Sequence, residues 1–62
     1  MSEAADYVWV TYDWDHGPYV ISIHRTAEDA AKFAARNGYG KVGRWLIGSE
    51  LRTAVDEWEG RQ

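Results

Sequence analysis

With 62 residues the chain forms one domain at most, and a domain of that length buries only about 60% of its unfolded surface, too little to enclose a large active site. Cysteine is absent and histidine occurs twice, so disulfides, thiolate chemistry and the usual metal staples of small domains are missing. The net charge of −3 is unevenly spread: +3 over residues 25–44 (Arg25, Lys32, Arg36, Lys41 and Arg44 against Glu28 and Asp29), between −4 for residues 1–24 and −2 for residues 45–62, which suits oriented docking more than general nucleic-acid affinity.

Residues 1–6 are acidic and lack the basic n-region and apolar h-region of an export signal. No segment approaches the roughly 20 apolar residues of a membrane helix, so a cytoplasmic protein without a membrane partner is expected. From Tyr7 to Tyr12 the chain reads Tyr-Val-Trp-Val-Thr-Tyr, a β-type run that is largely apolar on both faces. A second run, residues 19–24, follows Asp13-Trp14-Asp15-His16-Gly17-Pro18, a segment of turn formers, so the two runs predict a hairpin. Pairing Tyr12 with Tyr19 sets Val10 opposite Ile21 and Val8 opposite Ile23, making one continuous apolar face. The other face carries Tyr7, Trp9 and Thr11.

Thr26-Ala-Glu-Asp is an N-cap followed by acids in the first turn, and Gly38 is a stop, which predicts a helix over residues 27–37. Its buried stripe is Ala27, Ala30, Phe33 and Ala34, with Lys32 and Arg36 facing water. Residues 41–47 form the third strand, with Trp45 and Ile47 assigned inward. Gly48 ends it, and Ser49 is placed as the cap of a second helix over residues 50–59 whose apolar face holds Leu51, Ala54, Val55 and Trp58. A right-handed crossover from the second to the third strand places the first strand in the centre. The fold expected is therefore α+β: a β-β-α-β-α chain with a three-stranded antiparallel sheet of order 2-1-3 and two helices. It is one domain over residues 1–62, with an ordered core at about 6–59. The expected core of sheet and first helix is Val8, Val10, Ile21, Ile23 and Phe33, while the second helix is free to take either face.

The chemistry-bearing motifs are weak. Asp13-Trp14-Asp15-His16 resembles a metal cluster, but these are the residues that turn geometry alone selects, and no metal or cofactor is expected. His24 reads as a solvated strand-end side chain. Ser2, Ser22, Ser49, Thr11, Thr26 and Thr53 are accounted for as caps or strand residues, with no nucleophile, base and orienting group in sight, so no enzymatic activity is expected. Gly38-Tyr39-Gly40-Lys41 has glycines and a lysine but follows a helix instead of opening one, and it reads as a cap and a turn. The aromatic face of the first strand is the preferred interaction surface: Tyr7, Trp9 and Thr11, with Trp45 added, are assigned to a protein interface that includes self-association into a homodimer. The alternative is a nucleic-acid-binding factor using the basic segment 25–44 through Lys32, Arg36, Lys41 and Arg44 beside Tyr39 and Trp45.

Over most of its length the chain resembles small uncharacterised accessory proteins encoded by phages of actinobacteria. The residues that carry the likeness are Gly17-Pro18-Tyr19-Val20-Ile21-Ser22-Ile23-His24, the helix from Thr26 to Ala35, Gly38-Tyr39-Gly40-Lys41-Val42, Trp45-Leu46-Ile47-Gly48 and Ala54-Val55-Asp56-Glu57-Trp58-Glu59. The resemblance implies expression in an infected bacterial cytoplasm and a role in binding host factors. It implies no catalytic activity and assigns no functional residue.

Overall fold

The first β-type run extends past Tyr12 to form β1, Tyr7–Trp14, and the second forms β2, Pro18–His24. Between them Asp15, His16 and Gly17 turn the chain, with His16 and Gly17 at φ of 61° and 120°, the left-handed region that glycine enters without strain. The computed structural model describes residues 6–61; Ser2 and most of the acidic N-terminal segment lie outside them.

The hairpin register differs from the one expected. Val10 faces Ile23 and Thr11 faces Ser22, but Tyr12 faces Val20 and Asp13 faces Tyr19, so an irregularity between Thr11 and Tyr12 leaves Ile21 without a cross-strand partner. One extra residue in β2 reverses the alternation of its side chains, which brings Val20 and Ile23, three positions apart, onto the same face.

Helix α1, Ala27–Asn37, is built as its sequence requires: Thr26 Oγ1 accepts from the Asp29 N–H at 3.1 Å, and Gly38 ends it in the left-handed conformation with its N–H on the Ala34 carbonyl at 2.9 Å. Strand β3, Lys41–Leu46, runs antiparallel to β1, and the sheet order is β2-β1-β3. Helix α2, Leu51–Gly60, closes the chain. Ser49 does not cap it. The Ser49 hydroxyl instead donates to the Leu46 carbonyl at 2.7 Å, tightening the turn after β3, and Glu50 stands at the cap position without a side-chain bond.

The helices divide the two faces of the sheet. On one side α2 covers Val10 and Tyr12, which with Val55 form the buried core, and Val8, Val20, Trp45, Leu51 and Trp58 pack around them. On the other side α1 crosses all three strands, burying Ala30 and placing Phe33 against His24, ring centres 5.3 Å apart. The expectation that the first helix packs on the Val8 and Val10 face is thus corrected: α1 takes the Tyr7, Trp9 and Thr11 face, and α2, free in sequence to take either, takes the Val8 and Val10 face. The core is also different: Ile23 and Ile47, both assigned inward, are 59% and 63% exposed, because α2 reaches only part of its face.

Candidate protein interface

The four residues assigned to an interface do not share a surface. Thr11 is completely buried beneath α1, where its hydroxyl meets Ser22 Oγ at 2.6 Å, so it belongs to the interior. Trp9 is half-buried, its ring edge-on to Tyr7 at 6.1 Å and to Trp58 at 5.5 Å. Its aromatic surface is therefore largely used within the chain. Tyr7 is more exposed, with the Arg44 guanidinium 4.9 Å above its ring. Trp45 pairs with Val8 and so lies on the opposite face, on the side of α2.

Of the basic residues proposed for nucleic acid, Lys32 stands 4.0 Å from Glu28, Lys41 stands 3.5 Å from Glu59, and Arg44 lies over Tyr7. Arg36 stands in the last turn of α1, where a cation complements the helix dipole.

Ser22 Oγ and His24 Nε2 are 2.7 Å apart, the contact a nucleophile and its base make. Here Ser22 Oγ also bonds the Thr11 hydroxyl, and the Phe33 ring lies tilted against His24, so the three polar side chains satisfy one another under α1. At the end of β1 Asp13 accepts from the Trp14 N–H at 2.8 Å, and in the hairpin loop Asp15 lies 3.5 Å from His16, the side chains of that pair well exposed. Among the described residues no three His, Asp or Glu side chains are grouped to hold a metal ion.

Two features escaped the sequence. One is Glu59, whose Oε2 accepts from Tyr12 Oη at 3.0 Å, Trp14 Nε1 at 3.2 Å and Lys41 Nζ at 3.5 Å, tying the end of α2 to β1 and β3. These bonds, led by that of Trp14, hold the Glu59 carboxyl below its ordinary pKa. Tyr12 is pushed up to about 12, chiefly by burial and then by its bond to the carboxylate. No local signal announces a cluster drawn from positions so far apart in the chain.

The other feature is an uncovered apolar concavity of about 280 Å³ on the α2 side, lined by Val8, Ile23, Trp45, Ile47 and Gly48. It crosses all three strands at the end of the sheet where β2 finishes and β1 begins. The Trp45 indole is held there by its N–H on the Ser49 carbonyl, 2.9 Å away. A second concavity of similar size, between β3 and α2, counts Arg44, Glu57 and Arg61 in its lining and is mixed in charge. Compared with protein-family models, with curated proteins and with solved structures, the chain matches none.

Proposed function

We propose that this protein is a non-enzymatic binding module that docks another polypeptide on the apolar concavity at the open end of its sheet. The observation that carries the reading is the exposure of Ile23 and Ile47 beside Val8 and Trp45, a contiguous apolar surface that a small domain gains by covering. The resemblance to actinobacterial phage accessory proteins supports a setting in an infected bacterial cytoplasm, with a host factor or a second copy as the bound chain. Three of the four cations of the nucleic-acid alternative already have partners in the molecule, so that alternative has less to draw on.

The test is retention on tagged full-length chain, produced in a bacterium together with an untagged copy and washed with nuclease and high salt. Wild type should retain a defined protein, the untagged copy included, and an Ile47→Lys variant of native circular dichroism should lose it. Retention of salt-labile nucleic acid alone, or equal retention by the variant, overturns the reading.

A further inference from the structure

We infer that the occupant of the Val8, Ile23, Trp45 and Ile47 concavity is the same concavity of a second copy, packed face to face about a two-fold axis. The inference rests on the protein-binding reading and names its partner. Ile23, from β2, and Ile47, just past β3, flank the β1 residue Val8 in the hollow and are the large apolar side chains it leaves most exposed. A two-fold axis in the plane of contact, perpendicular to the line joining them, lays Ile23 of each copy over Ile47 of the other. Each apolar projection then meets another, twice, as an isologous interface requires.

The charges at the rim obey the same operation. Arg25 lies two residues past Ile23, just beyond β2, and Glu50 lies three residues past Ile47, just before α2; both are exposed, and neither forms an ion pair among the described residues. The axis that superposes Ile23 on Ile47 brings the Arg25 flank of one copy to the Glu50 flank of the other, so opposite charges meet at both ends. A head-to-head arrangement placing Ile23 over Ile23 sets like charges together instead.

A further consideration favours this packing. Edge-to-edge pairing through β2, one of the two edge strands, is a competing way to join two copies, but β2 begins with Pro18 and carries the irregularity at Ile21, both features that guard a strand edge.

Sedimentation velocity of the purified full chain, from low to high micromolar concentration, tests the assignment. Wild type should dimerise, and Ile47→Lys should weaken association roughly 30-fold or more, the loss of one buried anchor. Arg25→Glu should weaken it by about threefold or more, and adding Glu50→Arg to that variant should restore it, a rescue that misfolding does not produce. A wild type monomeric at high micromolar concentration overturns the inference, as does an Ile47→Lys chain that dimerises normally, or a double variant no better than Arg25→Glu. A monomeric wild type that still retains a foreign protein through Ile47 at high salt removes the second copy and leaves protein binding standing. A chain that retains nothing removes both.

Discussion

Tyr12 is the residue on which the interior turns. Its ring is buried between β1 and α2, and its hydroxyl reaches outward to Glu59, so one side chain supplies both apolar contact and a polar anchor. The consequence for pH follows from the direction of its shift. The folded state raises the phenol from 10.0 to about 12, so it binds the proton more tightly than the unfolded chain does. The stabilisation from Tyr12 is therefore complete below pH 10 and is lost as the pH rises from 10.0 to about 12. Urea unfolding of wild type should show a steeper loss of stability across that window than Tyr12→Phe, which has no phenol to ionise; equal slopes refute the account. Glu59 works in the opposite sense, since its lowered pKa contributes stability above the ordinary carboxylate range that disappears on acidification.

At the scale of elements, the approach of α2 to the sheet depends on Gly43. A methyl group built there would come 2.6 Å from the Tyr12 ring and 3.2 Å from the Trp58 ring, and neither ring is the free end of a flexible chain. The Trp58 indole N–H is fixed on the Val42 carbonyl at 3.0 Å, and Tyr12 is fixed by Glu59. Overpacking of this kind costs on the order of 1–3 kcal/mol. That exceeds the roughly 0.5–1 kcal/mol by which Ala improves on Gly within a strand. Gly43→Ala should therefore lower the urea midpoint, and a variant as stable as wild type shows that α2 has room to retreat. Helix α1 needs no such accommodation, since its own Ala30 and Ala34 provide the small surface it lays on the strands. That difference explains why α1 was readable in sequence to its end residues, with its cap and its stop. The start of α2 was not, because Ser49 finds a nearer acceptor in the turn after β3.

For the whole molecule, a sheet of three strands has two faces to cover and only two short helices to do it. Each face receives one helix, and α2 is anchored near the Tyr12 end by Glu59 and Trp58. The Val8 end of the same face is left open as a result. Val10 and Ile23 stand opposite each other in the hairpin yet fall on different sides of this boundary, at 1% and 59% exposure. Val10→Ala should cost about 1–4 kcal/mol as a core truncation. Ile23→Ala, measured at concentrations where the chain is monomeric, should stay within about 0.5 kcal/mol of wild type. Comparable losses at both positions place the edge of the core elsewhere.

The amino-acid sequence by itself determined the five elements, their order, the limits of α1 and the central place of β1. Each of these is written in local terms: a β-type run, a cap and a stop, a glycine break, and one handed crossover. Tertiary structure decided the register, the partition of the faces and the apolar surface left uncovered. The register shifted because one unpaired residue in β2 puts Val20 on the side of α2, where it packs against the core, a gain that depends on a helix thirty residues further on. The partition depended on β1 being apolar on both sides, which gives α2 two acceptable seats that local pattern does not rank. The choice was made by contacts distant in the chain, Glu59 with Tyr12, Trp14 and Lys41, and Trp58 with Val42 beside the gap at Gly43. The same choice buried Thr11, engaged Trp9, and moved the exposed apolar surface from Tyr7 and Trp9 to Ile23 and Ile47.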